Sequence, residues 1–203
     1  QAPHIPRNSQ FPLTAPHRPT QFQILGPLAA TSSDGAPLRF GSATQRLLLT
    51  ALLLNANSVV SSERLSDWCD LSAGALRTTI SRLRKIVGAD IIFQEPPGYV
   101  LRTRSLDTHD FERLVEESRS AGSSEALARL DAALALWNGD ALADFADQSW
   151  AQATAISLSE LRASAIEDRA EILLRMSRWA DAIVAMELHI AHYPLRDRPR
   201  GLL

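Results

Sequence analysis

A strongly basic helical segment is the feature that most constrains the fold of this chain. Between Ala75 and Gly88, the apolar residues Leu76, Ile80, Leu83 and Val87 recur at helical spacing, which predicts an amphipathic helix with one buried stripe. The same segment contains four basic residues and no acidic residue. The sequence therefore predicts a helix that buries one face and presents a positively charged one.

A tight hairpin is predicted directly after this helix. Residues 91–95 and 99–102 have strand-like composition and flank the turn residues Pro96, Pro97 and Gly98. A helix with an outer face of arginines and hydroxyl groups, supported by a β-wing, is how small domains place hydrogen-bond donors in the major groove of DNA. The two elements together predict a DNA-binding function.

The rest of the chain divides into two kinds of pattern. Before the basic helix we expect strands at residues 21–25 and 37–40, a Ser42-capped helix from residue 43 to about residue 57, and a second helix capped by Ser61 or Ser62. After residue 106, alanine-rich amphipathic helices replace the strand pattern, including helices at about 151–176 and 179–192. Two segments of this half, 125–137 and 179–194, resemble paired-helix repeats of the tetratricopeptide type, which stack into concave protein-binding surfaces.

The predicted fold class is therefore α+β in the first half, as a winged helix-turn-helix, and all-α in the second, as a TPR-like helical domain. The expected organisation is a Pro-rich disordered tail over residues 1–20, a DNA-binding domain over residues 21–104 and a helical domain over residues 105–203. Charge supports this division. Residues 21–104 contain nine Lys/Arg and six Asp/Glu, whereas residues 105–203 contain ten and seventeen. A basic domain joined to an acidic one fits a DNA-binding domain coupled to a domain that contacts other proteins.

Several other classes of protein are disfavoured by the sequence. The single cysteine, Cys69, excludes an internal disulfide and suits a reducing compartment, and no apolar run is long enough to span a bilayer. We therefore expect a cytoplasmic protein without a membrane partner. Glycine-rich phosphate loops, nucleophilic serine elbows and convergent metal ligands are not found in the sequence, so we expect no enzyme activity, no cofactor and no metal site. Three tryptophans of the second half are expected to be helix-packing anchors: Trp137, Trp150 and Trp179.

Three parts of the first half supply the candidate DNA-binding residues. The basic helix supplies Arg77, Thr78, Thr79, Ser81, Arg82, Arg84 and Lys85. The start of the first helix, where free backbone amides can hold a phosphate oxygen, supplies Thr44, Gln45 and Arg46. The wing supplies Gly98, Tyr99 and Arg102, of which Tyr99 fits the core of the hairpin better than a base-stacking role.

With these residues identified, the chain resembles the SARP-type bacterial transcription regulators, which activate secondary-metabolite pathways. The resemblance is carried by Phe22–Leu28, Gln45–Leu49, Val59–Leu65, Ser81–Arg84, Pro96–Tyr99, Asp110–Leu114, Ala135–Trp137 and Pro194–Arg196. It implies an OmpR-like winged helix joined to a bacterial transcriptional activation domain. It also implies an activator that binds direct repeats in double-stranded DNA head to tail, with the basic helix in the major groove. The implied partners are a second copy of the chain on DNA and RNA polymerase.

Two other functions remain open at this point. The link over residues 69–74 is several residues shorter than is usual in such regulators, and the net charge of the chain is −2. Both features fit a protein-interaction module that no longer binds DNA. The chain ends at Leu203, where such regulators continue through further helices, which fits the N-terminal regulatory part of a larger multidomain sensor. A DNA footprint would distinguish a DNA-binding regulator from the interaction module. The gene sequence beyond Leu203 would show whether the chain is part of a larger sensor.

Overall fold

The computed structural model describes residues 20–192 and combines helices with two small antiparallel sheets. The strands are β1 Gln21–Gln23, β2 Ala29–Thr31, β3 Val60–Ser61, β4 Ile92–Glu95 and β5 Gly98–Leu101. The helices are α1 Ala43–Leu53, α2 Ser62–Cys69, α3 Ala73–Val87, α4 Asp107–Arg119, α5 Ser123–Leu134, α6 Ser149–Arg175 and α7 Trp179–His192, with one 3-10 turn at Ala143–Phe145. The predictions for residues 1–19 and for those after His192 lie outside the described residues.

Three helices, a three-stranded sheet and the two-stranded β1-β2 sheet make up the N-terminal unit, residues 20–104. The helices α1, α2 and α3 pack against one another, and the sheet has the order β3-β5-β4 with all neighbours antiparallel. Ser42 and Ser61 cap α1 and α2 as predicted, because each hydroxyl oxygen accepts a bond from a backbone N–H of the first turn, at 3.2 Å in both cases. The predicted helix-then-hairpin order around α3, β4 and β5 is confirmed.

The sequence prediction was wrong at two element boundaries. The partner of β1 is β2 and not residues 37–40, which contribute only a bridge between Thr31 and Pro37. The chain reverses early because Gly26 takes a φ of +153° there, a value that side chains rarely allow. Helix α1 ends at Leu53 instead of near residue 57, because the N–H groups of Asn55 and Ala56 bond the carbonyls three residues back in tighter turns. Asn57 then has a left-handed φ of +66°, and its side chain bonds the backbone of Thr103 at 3.0 Å through both its oxygen and its nitrogen.

Helices alone form the second half, called here the helical unit, over residues 105–192. Each helix from α4 to α7 packs against its neighbours in the sequence, α4 on α5, α5 on α6 and α6 on α7. Phe111 of α4 and Trp137 meet edge to face with ring centroids 5.4 Å apart, in a core that also contains Leu130 and Leu173. In residues 20–192, no helix combines the length and the apolar character needed to cross a membrane.

The two units share one hydrophobic core at their junction. Leu142, Phe145 and Ala151 of the helical unit are buried together with the helices of the N-terminal unit. The carboxylate of Asp107, at the start of α4, accepts bonds of 2.8 and 3.0 Å from the N–H of Ile24 and of 2.9 Å from the N–H of Leu25. Burial raises the pKa of Asp107, and the bonds from Leu25 and Ile24 oppose that rise. The backbone after β1 is therefore held by the helical unit.

Removing the Asp107 carboxylate should destabilise this junction. For Asp107→Ala we expect the free energy of unfolding to fall by about 2 kcal/mol, because two buried N–H groups lose their acceptor. The matched control is Asp110→Ala on the same helix, whose exposed ion pair with Arg113 should contribute less than about 0.5 kcal/mol. Urea denaturation followed by circular dichroism measures the free energy of unfolding of both variants. Equal stability of the two would contradict the role of the Asp107 carboxylate in stabilising the junction.

Candidate nucleic-acid interface

Helix α3 presents one exposed polar face opposite its buried face. Arg77, Thr78, Ser81, Arg82 and Lys85 are exposed and recur at spacings of three and four residues, so they lie on one side of the helix. The opposite side is buried through Leu76, Ile80, Leu83 and Val87. No acidic residue occurs in α3, so its exposed face carries three positive charges and two hydroxyl groups. We call these five exposed residues the α3 face.

Local interactions hold the α3 face in a helical geometry. The Ser72 hydroxyl oxygen accepts a bond from the N–H of Ala75 at 3.3 Å and caps the helix. The Thr78 hydroxyl donates to the carbonyl of Gly74 at 3.0 Å, which leaves its methyl group available for contacts on the exposed side. Lys85 lies in the last turn, where a positive charge interacts favourably with the helix dipole.

Arg84 connects the end of α3 to the hairpin. Its Nε donates to the backbone carbonyl of Ile92 at 2.8 Å, and the residue is half-buried. This bond joins α3 directly to β4, so the orientation of the helix relative to the hairpin depends on it. Arg84 was predicted to contact DNA, whereas in the structure one of its donors braces the hairpin.

The hydrogen bond between Arg84 and the carbonyl of Ile92 should contribute measurably to the stability of the protein. We expect Arg84→Ala to lower the free energy of unfolding by about 1 kcal/mol, the typical value of one such hydrogen bond. The neighbouring exposed residue gives the control, since Lys85→Ala should change stability by less than about 0.5 kcal/mol. Thermal denaturation compares the two, and an Arg84→Ala variant as stable as Lys85→Ala would show that the bond does not brace the hairpin.

The hairpin carries one exposed positive side chain among the predicted wing residues. Arg102 follows β5, and its guanidinium lies 5.0 Å from the ring centroid of Phe93 and 2.5 Å from a carboxylate oxygen of Glu95. The cation is therefore held against β4 and is partly neutralised. The Arg102 side chain is nevertheless 58% exposed at the edge of the hairpin.

Four predicted DNA-binding residues are corrected by their burial. Tyr99 is 4% exposed and belongs to the core. Gly98 is buried under the backbone of β3, so close that a Cβ there would lie 1.9 Å from the carbonyl oxygen of Val60. Thr79 faces inward and its hydroxyl donates to the carbonyl of Ala75 at 2.9 Å. Gln45 is buried as well. The side chains of Tyr99, Thr79 and Gln45 are therefore not part of the exposed surface of this unit.

The start of α1 serves the junction between the units. The side-chain oxygen of Gln45 accepts a bond from the N–H of Gly41 at 2.8 Å. Arg46 forms an ion pair of 2.5 Å with Asp144 of the helical unit, and the same carboxylate accepts a bond of 2.7 Å from the N–H of Leu28. Thr44 is half-buried. Arg46 therefore contacts the helical unit in this structure, and its contact with a phosphate stays a prediction.

Sequence reasoning missed the residues that join the units. Asp107 and Asp144 belong to no recognisable motif, and only the folded chain brings them to the backbone after β1. Trp137 and Trp150 pack against other elements as expected, whereas Trp179 is 58% exposed and is not the packing anchor that was predicted.

The comparisons with known proteins cover both units. Residues 106–203 match the family described as the bacterial transcriptional activator domain. The chain is 34% identical over 209 residues to "Regulatory protein AfsR" of Streptomyces griseus, covering 97% of this chain and 21% of the relative. It is 31% identical over 195 residues to "Transcriptional regulatory protein EmbR" of Mycobacterium tuberculosis, covering 87% and 50%. The chain belongs to the SARP-type family of bacterial transcriptional regulators.

The structural comparison agrees with this membership. A solved structure described as Mycobacterium tuberculosis EmbR in complex with low affinity phosphopeptide matches the SARP-type chain with a TM-score of 0.82 and 27% sequence identity. The match covers 91% of this chain and 53% of the EmbR chain, so it includes both units. The SARP-type chain spans about a fifth of AfsR and half of EmbR. Both names describe regulatory proteins and not enzymes.

Proposed function

We propose that this chain is a sequence-specific DNA-binding regulator, of the activator kind, and that the N-terminal unit is a winged helix that reads DNA through the α3 face. One observation carries the proposal: the α3 face is exposed, positively charged and free of acids, while the opposite side of the helix is buried and its end is braced on the β4-β5 hairpin. The basic patch and the element order fit the winged class of helix-turn-helix proteins.

The chemistry of the α3 face suits a major groove. The helix has 15 residues, so it is about 22 Å long, and B-DNA offers a groove about 12 Å wide that admits one helix. Arg77 and Arg82 can each donate two hydrogen bonds to one guanine edge, and the threonine methyl can contact a thymine methyl group. Lys85 supplies a point charge for a phosphate. Arg102 of the hairpin supplies a further phosphate contact beside the groove.

The proposed partners follow from the two units. We place two copies of the chain head to tail on direct repeats, each contributing one α3 face. The helical unit, proposed to be TPR-like, belongs to the half of the chain with seventeen acidic and ten basic residues. It therefore carries the protein contacts, with the second copy and with RNA polymerase, because an acidic surface is repelled by DNA phosphates.

Selection from a random double-stranded DNA pool tests the proposal. We expect enrichment of a motif that occurs twice in the same orientation, with centres about one helical turn (10–11 base pairs) apart. Affinity for the selected site should fall steeply with salt, because bound phosphates release counterions. A pool without enrichment, together with binding that does not respond to salt, would contradict the proposal and favour a protein-interaction module without DNA binding.

A second candidate concerns the native protein as a whole. The chain covers 21% of AfsR and 50% of EmbR, which favours an N-terminal regulatory part of a larger multidomain protein. The gene sequence beyond Leu203 decides this: an open reading frame that continues supports the candidate, and a stop codon contradicts it. DNA reading by the α3 face is proposed in either case.

A further inference from the structure

The helical unit contacts the helix-turn-helix through a pair of stacked tryptophans. Trp150, in the first turn of α6, stacks on Trp68 of α2 with ring centroids 5.5 Å apart and an interplanar angle of 22°. The indole Nε1 of Trp150 also donates to the backbone carbonyl of Trp68 at 3.3 Å. Two separate interactions therefore connect α6 to α2.

The contact lies next to the turn that leads into α3. Helix α2 ends at Cys69, and the carbonyl of Trp68 is one of the last four of that helix, which have no partner within it. Asp70 then takes a left-handed φ of +49°, and Ser72 caps α3. The indole N–H of Trp150 thus satisfies the carbonyl of Trp68, four residues before Ser72, the cap of α3.

The tryptophan pair is held rigidly on both sides. Ala151, next to Trp150, is fully buried in the core shared by the two units. On α2, the guanidinium of Arg64 lies 5.2 Å from the ring centroid of Trp68. The ion pair between Arg46 and Asp144 connects the units at a second point. The helical unit therefore contacts α2 in its last turn, next to the link into α3.

We propose that Trp150 is a positioning residue for DNA binding: it holds the link between α2 and α3 from the helical unit and so orients the α3 face. This inference rests on the proposed function. Trp150 offers DNA no hydrogen-bond donor, since its half-buried ring stacks on Trp68 and its N–H is bonded to the protein. The helical unit then contributes to DNA affinity through geometry and not through charge.

Three variants of the full chain test the proposal. Trp150→Ala removes the stacking and the hydrogen bond, Trp150→Phe removes only the hydrogen bond, and Trp179→Ala makes the same truncation at an exposed site of the helical unit. Affinity is measured on the selected DNA at several salt concentrations. Hydrogen exchange of the amides at residues 70–76 is measured without DNA, which reports the link directly.

We expect Trp150→Ala to bind about 10-fold more weakly and Trp150→Phe about 3-fold more weakly, with the salt slope of the wild type because no phosphate contact is lost. Exchange at residues 70–76 should accelerate in both variants, and Trp179→Ala should match the wild type. Wild-type affinity and exchange in Trp150→Phe would overturn the proposal, as would a reduced salt slope, which indicates a direct DNA contact. If the wild type itself binds no DNA, the proposed function fails first, and this inference fails with it.

Discussion

The double variant Arg77→Ala, Arg82→Ala is expected to bind the selected DNA about 100-fold more weakly than the wild type. Each base or phosphate contact of an arginine contributes about 1–3 kcal/mol, and both side chains lie on the exposed α3 face. The salt slope of log Kd should also become shallower, because fewer counterions are released per complex. Fluorescence anisotropy with a labelled duplex at several salt concentrations measures both quantities.

A matched control shows whether the loss of affinity comes from direct DNA contacts of these two arginines or only from the loss of positive charge. Arg113→Ala, Arg119→Ala removes two exposed arginines from α4 in the helical unit and should change affinity by less than about 2-fold, since the charges lie outside the proposed interface. Equal losses in the two double variants would contradict the assignment of the α3 face. Both variants should unfold within about 1 kcal/mol of the wild type.

Gly98→Ala is expected to be the most destabilising single substitution discussed, with a loss of about 4 kcal/mol in the free energy of unfolding. The added Cβ would lie 1.9 Å from the carbonyl oxygen of Val60 and 2.7 Å from the Cα of Ser61. Backbone atoms cannot move aside like a flexible side chain, so β3 must separate from β5. Val60 pairs with Tyr99 and Ser61 with Gly98 in this sheet, and the hairpin would lose its third strand.

Gly74→Ala is the control for this prediction. Gly74 lies in the first turn of α3, and a Cβ there meets nothing within 4 Å, so the substitution should stabilise the protein by up to about 1 kcal/mol. Urea denaturation measures the two variants under the same conditions. If Gly98→Ala unfolded within 1 kcal/mol of the wild type, the close approach of β3 and β5 would be wrong.

The sequence predicts best those elements whose signals are local. Helix α3 is defined by four apolar residues at helical spacing and by its cap Ser72, and the hairpin is defined by a Pro-Pro-Gly turn between two strand-like segments. These signals are complete within about thirty residues. The exposed members of the α3 face could therefore be named in advance, because a buried stripe on a helix determines which side remains exposed.

Features that depend on distant contacts could not be predicted. Thr79 lies beside the exposed face in the helical pattern, and packing decides that it turns inward. Gly98 is a turn residue in the sequence, and its burial follows from the pairing of β5 with β3, which is more than thirty residues earlier. The role of Arg46 depends on Asp144, 98 residues away. Periodicity carries no information at that separation.

Thiol labelling at the centre of the proposed interface tests the central claim most directly. Ser81→Cys places a reactive group in the middle of the α3 face, and Ser120→Cys places one at an exposed site after α4. The native Cys69 gives little background, because it is buried and burial raises the pKa of its thiol to about 11. With saturating selected DNA, we expect maleimide labelling of Cys at position 81 to slow at least about 10-fold and labelling at position 120 to stay unchanged. Undiminished labelling at position 81 in the bound complex would show that the α3 face does not lie on the DNA.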